Sequence, residues 1–296
     1  MKKLLFIYNV HAGKGLVKAR LAAVLDSFTK AGWEVTVYPT QGPRDATRAA
    51  AELGGRFDRV VCAGGDGTLH ETVNGLMRLE ERPELGYVPS GTTNDFAKNL
   101  RLPRGMENRA RTAAAGVPQA LDIGRINDRY FVYVAAFGAF TDLPYNTPQN
   151  AKSVFGHLAY LAGVGVRLPS ISASPMTVEH DGGVIEDEFA FGMVTNTTSA
   201  GGFKIASTSQ VALDDGLFEV ALVHRPKTPA HWQIIIKSLL SMEPDSHGMV
   251  KMLRTSRLKI TFQEAQPWTL DGEYGGEYHV AEIENCRQAV KMIHGK

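Results

Sequence analysis

The chain has 296 residues, enough for two ordinary domains with a sizeable core in each, and its 44% hydrophobic and 21% charged residues exclude a disordered chain. A formal net charge of +1, with no long basic block and no acidic tail, gives no reason to expect a nucleic-acid partner. Two cysteines far apart in sequence, Cys62 and Cys286, exclude a disulfide-dense scaffold and suit a reducing cytoplasm.

Met1-Lys2-Lys3 and the apolar run behind it are too short for a secretory signal, and a Gly-rich loop follows instead of a cleavage site. That run, residues 4–8, reads as a strand. A helix over 16–30 follows, with Leu21, Val24, Leu25 and Phe28 on one face. Strands are expected at 33–38, 59–63 and 85–88, and helices at 45–53 and 68–79, with a further helix opening near Thr93. This alternation predicts an α/β domain over 1–124 with a largely parallel sheet. Ligands of such sheets bind beyond the carboxyl ends of the strands.

After Asp122 the pattern changes to strands and turns. Asn127-Asp128 separates 121–126 from 129–136, and Asp181-Gly182-Gly183 separates 176–180 from 184–191. Further strands are expected at 217–223, 257–262 and 277–284, with helices at 153–168 and 229–242. The reading is a second, mainly β domain over 125–285, a sandwich. Residues 286–296 are expected to return to the first domain, as a short helix from Arg287. No stretch approaches the roughly 18 apolar residues of a membrane span.

Three loops carry chemistry. Gly64-Gly65-Asp66-Gly67-Thr68 joins an apolar strand to a helix. Glycines let backbone amides approach phosphate oxygens, a helix start adds N–H groups and a positive dipole end, and Asp66 suits Mg²⁺. The bland alternative is a turn whose Asp caps the helix. A second loop, from Asn9 through Gly13 and Lys14 to Gly15, has the position of a phosphate cradle without the P-loop spacing. A third, Pro89-Ser90-Gly91-Thr92-Thr93-Asn94-Asp95, offers hydroxyls, while Asn94 or Asp95 can cap a helix. The histidines have no metal-ligand spacing, and Cys62 reads as core.

These segments, in this order, resemble the diacylglycerol kinase catalytic family, which includes sphingosine, ceramide and bacterial lipid kinases. GGDGT followed by LHETVNGL carries the resemblance, and PSGTTNDFA strengthens it. Gly201 to Ala206, Asp214 to Phe218 and Leu270-Asp271-Gly272-Glu273 extend it along the chain towards the soluble bacterial members. Val10 and Ala12 depart from the Pro and Ser usual in the first loop, which puts nucleotide affinity in doubt more than activity.

The resemblance implies transfer of phosphate from ATP, with Mg²⁺, to the hydroxyl of a membrane lipid such as diacylglycerol. It implies that Asn9, Gly13, Lys14, Thr40, Gly64, Gly65, Asp66, Gly67, Thr68, Glu71, Thr92 and Asn94 surround the nucleotide. Asp66 would engage the catalytic Mg²⁺, and Asp271 or Glu273, reaching over from the second domain, would be the general base. Sequence does not choose between these two acids. Asp215, with carbonyls near Ala212 and Leu217, would hold a structural Mg²⁺, against the alternative of a plain turn. Asp122 matches a further family acid. A cytoplasmic enzyme visiting the inner face of the membrane, and a homodimer, are also implied. The rival readings are a kinase for another lipid, an NAD kinase, and a lipid-binding regulatory protein with a decayed site.

Overall fold

The computed structural model describes residues 1–92, 94–138, 172–197, 199–200, 203–204 and 212–295, without the side chains of Lys14, Ser199, Ala200, Phe203, Lys204 and Leu240. The helix expected over 153–168, the helix start at Thr93 and most of 201–206 lie outside the described residues. The chain forms two compact units, Met1–Asp122 with Gln288–Lys296, and Ile123–Arg287.

The first unit alternates strand and helix: β1 (Lys2–Asn9), α1 (Leu16–Ala19), α2 (Leu21–Lys30), β2 (Trp33–Thr40), α3 (Asp45–Leu53), β3 (Arg59–Gly64), α4 (Asp66–Leu76), β4 (Glu84–Pro89) and α5 (Met106–Ala115). The strands pair in the order β2–β1–β3–β4, all parallel. β3 is buried along its whole length and β1 over Leu4–Tyr8, because helices cover both faces of central parallel strands. Phe28 of α2 meets Phe6 of β1 edge to face, with ring centroids 5.2 Å apart. α4 lies close against α3 because Gly75 has no side chain; a Cβ there would sit 2.6 Å from the Ala50 Cβ. From β1 the chain goes to β2 on one side, then crosses to β3 on the other. The order therefore reverses between β1 and β3, where doubly wound sheets bind ligands.

Three expectations for this unit need correction. The helix expected over 16–30 is two pieces broken at Arg20. Among the described residues the loop after β4 forms a short 3-10 turn at Phe96–Lys98, and the α-helix that follows, α5, was not anticipated. The C-terminal residues are a strand, not a helix: β16 (Glu273–His294) runs to the chain end, with Met292 beside Leu85 in parallel register. Val290, Met292 and Ile293 are buried there, and the strand supplies a partner to the edge of β4 that a helix would have left unpaired.

The second unit is mainly β, and its pairings are antiparallel. It contains the end of β5 (Val117–Ile126), β6 (Arg129–Phe131), β7 (Val134–Gly138), β8 (Ser174–His180), β9 (Gly183–Phe189), β10 (Phe191–Thr195), the short β11 (Ser199–Ala200) and β12 (Phe203–Lys204), β13 (Phe218–Val223), α6 (Pro229–Ser241), β14 (Val250–Thr255), β15 (Arg257–Leu270) and the start of β16. β15 pairs with β8 along Leu258–Phe262 and with β7 along Trp268–Leu270. The strand groups β9–β8 and β14–β13–β10–β7 thus meet along one long strand, and their inward residues share a core. Phe137, Phe262 and Trp268 lie at its centre, with Phe137 4.8 Å from the Trp268 ring and 5.0 Å from the Phe262 ring. α6 starts as its sequence predicts: Thr228 accepts the His231 N–H, and Pro229 occupies the first turn.

Candidate active site

The three glycine-containing loops leave the carboxyl ends of β1, β3 and β4 side by side. They pack by glycine. A Cβ on Gly13, whose φ is +58°, would overlap the Ser90 carbonyl oxygen, and a Cβ on Gly91 would lie 2.6 Å from the Gly65 Cα. The backbones can approach this closely only because the side chains are missing. Ser90 N–H donates to the Gly64 carbonyl at 2.8 Å, tying the third loop to the second.

Gly64 ends β3, Gly65 is the extended cap of α4, and Asp66 and Gly67 open its first turn. An eleven-residue helix therefore points its positive end into the loop cluster. Asp66 Oδ2 accepts the Asp95 N–H at 3.1 Å, so the third loop orients this carboxylate. Thr68 is buried, and its Oγ1 lies 3.5 Å from Asn9 Nδ2. Asn9 Oδ1 accepts the His11 N–H at 2.9 Å and shapes the first loop. Thr40 ends β2 in register with Asn9 and is buried. Thr92 is exposed on the third loop, and the Lys14 side chain lies outside the described residues.

Glu71 has a local task. Its two oxygens accept the N–H groups of Arg44 (2.8 Å) and Ala46 (3.2 Å), which caps the start of α3. Asn94, at φ +49°, clamps Gly91 twice: Oδ1 accepts the Gly91 N–H at 2.9 Å and Nδ2 donates to the Gly91 carbonyl at 2.6 Å. Sequence reading missed the role of Tyr87. Its hydroxyl lies 3.3 Å from the Gly64 carbonyl and 3.3 Å from Asn94 Oδ1, beneath the cluster. The available signal was a phenol within the apolar run Leu85–Val88, where the polar tip must find a partner.

The two acids of Leu270-Asp271-Gly272-Glu273 separate in the structure. Asp271 (φ +53°) and Gly272 (φ +89°) form the two-residue turn between β15 and β16, the backbone that an Asp-Gly pair favours. The Asp271 carboxylate is buried and accepts the N–H groups of Val132 (2.8 Å), Tyr133 (2.9 Å) and Val134 (3.2 Å). The single strand expected over 129–136 is therefore two, β6 and β7, because these amides serve the carboxylate. Glu273 is exposed.

Asp215 Oδ1 accepts the Leu217 N–H at 3.0 Å, and Oδ2 accepts from Arg254 Nη2 at 2.7 Å. Arg254 Nε also lies 3.3 Å from Glu219, whose carboxyl burial raises to about 7. The Arg254 guanidinium thus faces both Asp215 and Glu219. Ala212 and Leu217 flank this turn. Asp122 accepts the Gln288 N–H at 2.7 Å and so ties the returning C-terminal strand to β5.

Among the described residues, no three His, Cys, Asp or Glu side chains converge as a metal cage. Mg²⁺ in nucleotide sites usually needs one or two carboxylates, with phosphates and water completing its shell, and Asp66 at a glycine-lined helix start fits that requirement. No helix of the described residues is long and apolar enough to cross a membrane.

Residues 3–126 match the family model of the diacylglycerol kinase catalytic domain. A diacylglycerol kinase of Bacillus subtilis (strain 168) is 38% identical over 93% of this chain and 91% of its own length. One from Staphylococcus saprophyticus is 34% identical over 93% and 90%. Two crystal structures from Bacillus anthracis str. Sterne, 24% identical in sequence, superpose with TM-scores of 0.85 and 0.78 over 99% of this chain and 98% and 97% of theirs; they share the fold.

Proposed function

The chain belongs to the diacylglycerol kinase catalytic family, and from that premise we propose that it transfers the γ-phosphate of ATP to the hydroxyl of diacylglycerol, yielding phosphatidic acid. The observation that carries the reading is the convergence of three glycine loops and a helix start on the β1/β3 switch point, with Asp66 oriented among them. Backbone amides there suit the phosphates, and in phosphoryl transfer positioning and charge screening are most of the catalytic task. Mg²⁺ held at Asp66 supplies charge neutralisation on the phosphates when bound. Thr40 and Asn9, at neighbouring strand ends, suit the nucleoside side of the site.

Glu273 is the proposed general base. A base must reach the acceptor hydroxyl and carry its proton away, which suits an exposed carboxylate at a strand start. Asp271 is spent on three backbone amides, so its proposed role is to hold the turn that presents Glu273. The acceptor is a membrane lipid, so the enzyme is proposed to work from the cytoplasm at the inner face of the bilayer. The homodimer stays part of the proposal on sequence resemblance alone, and light scattering tests it against a chain mass of 32.2 kDa.

The test is incubation with labelled ATP and Mg²⁺ against diacylglycerol, sphingosine and polyprenol in mixed micelles, and against NAD in solution. Label in phosphatidic acid is expected. Label in NADP, or lipid binding without turnover, would replace this reading with one of its rivals.

A further inference from the structure

Resting on the nucleotide reading above, we propose that the buried hydroxyl of Tyr87 is a positioning group for the phosphates: it locks the second and third loops in the register at which their amides meet the nucleotide. Tyr87 sits in β4 and is fully buried. Its hydroxyl faces two acceptors, the Gly64 carbonyl and Asn94 Oδ1, at 3.3 Å each. One proton shared between two acceptors makes a three-centre hydrogen bond, and equal, long distances are its geometry. Burial, with Asp66 nearby, pushes the phenol well above its ordinary range, so it stays protonated at any working pH.

Each acceptor already has a second donor. Gly64 O takes the Ser90 N–H at 2.8 Å, and Asn94 Oδ1 takes the Gly91 N–H at 2.9 Å. The tyrosine hydroxyl is therefore not needed to satisfy a buried carbonyl. It joins two clamps that would otherwise act separately. A trans peptide holds its N–H opposite its C=O. Fixing the Gly64 carbonyl downward aims the Gly65 N–H the other way. Fixing the Gly91 carbonyl through Asn94 does the same for the Thr92 N–H. Gly65 and Gly91 are also the residues whose backbones touch. The hydroxyl thus sets the relative position of two amides on adjoining loops, a relationship that neither loop controls alone.

Tyr87→Phe keeps the buried ring and removes only the link. Loss of one neutral hydrogen bond predicts that ATP binding with Mg²⁺, measured by calorimetry on the full chain, weakens about 3- to 10-fold. The KM for ATP rises by the same factor, while the KM for lipid and the melting temperature change little. Asn94→Gly preserves the left-handed backbone and removes one arm of the link, so adding Tyr87→Phe to it should weaken binding by less than in the wild type. Wild-type ATP affinity in Tyr87→Phe overturns the proposal, as does a loss of affinity that is fully additive with Asn94→Gly. The calorimetry is independent of the acceptor. Absence of lipid phosphorylation by the wild type would sink the functional reading, whereas wild-type chain that binds ATP while Tyr87→Phe binds it equally well would sink this one.

Discussion

The carboxylate of Asp271 accepts the backbone N–H of Tyr133 at 2.9 Å, and the Asp271 N–H donates to the Val134 carbonyl at 2.8 Å. A turn residue of one hairpin thereby fills the gap between β6 and β7. The neighbouring acid, Glu273, opens the next strand and is exposed. Two carboxylates two residues apart so acquire different chemical prospects from one Asp-Gly turn.

This separation predicts a split between stability and turnover. Glu273→Gln should lower kcat by about 10²- to 10⁴-fold, the usual yield of a general base, at an unchanged melting temperature. Asp271→Asn tolerates the left-handed backbone but loses charge-assisted bonds to buried amides, and should destabilise by about 2–3 kcal/mol. Thermal melts beside steady-state assays check both. A stable but inactive Asp271→Asn would reassign the base.

Asp66→Asn keeps an oxygen for the Asp95 N–H and loses the charge. Turnover should fall to the background of the assay, with the fold intact, because the residue is only half-buried and its backbone bonds survive. Circular dichroism and phosphate transfer at raised Mg²⁺ check this. Substantial activity in the variant would remove the metal role from Asp66.

Gly91→Ala should act through distance alone. The new Cβ would meet the Gly65 Cα at 2.6 Å, closer than real carbons approach, so one loop must move. The KM for ATP is expected to rise about tenfold or more, with the lipid KM unchanged, because a misplacement of this size at a preorganised site is felt strongly. An ATP titration of the purified variant measures it.

Glu219 sets an unusual pH dependence. Burial raises its carboxyl from 4.5 to about 7, so the folded state keeps a proton that the unfolded chain has already released. The resulting destabilisation begins above pH 4.5, grows until about pH 7 and then stays constant. Linkage puts it at roughly 3 kcal/mol as an upper figure, the opposing pull of Arg254 being already contained in the raised value. Glu219→Gln should therefore melt higher than wild type above pH 7 and show no such advantage below pH 4.5.

Asp181 gives the opposite sign. Bonds from the Ser256 N–H and hydroxyl, with Thr255 and Arg257, hold its carboxylate below the usual range. Its stabilisation is complete above the ordinary value of 3.8 and disappears as pH falls below it, through the depressed folded value. Asp181→Asn should lose about 1–2 kcal/mol at neutral pH, a figure discounted for the partly exposed side chain, and should flatten the acid limb of the melting curve.

Much of this protein was legible from local rules. The apolar runs at Leu4 and Val60, the glycines that follow them and the helix spacing behind Gly65 gave the parallel sheet and two of its three loops, because each depends on neighbours in sequence. The β-rich second unit followed from alternation and turn residues. The C-terminal strand was not legible in this way: those residues form a strand because β4 offers an open edge, and nothing near Arg287 records that edge.

The amino-acid sequence by itself determined which residue types stand at the strand ends: glycine, Asp66, Asn9, Glu273. Only the tertiary structure decided their tasks. It put Tyr87 under two loops, set Glu71 to capping α3, gave Asp215 to Arg254 and turned Asp271 inward while Glu273 stayed outside. The physical reason is that a carboxylate or phenol takes its role from whichever buried donors and acceptors demand a partner, and those come from segments distant in the chain.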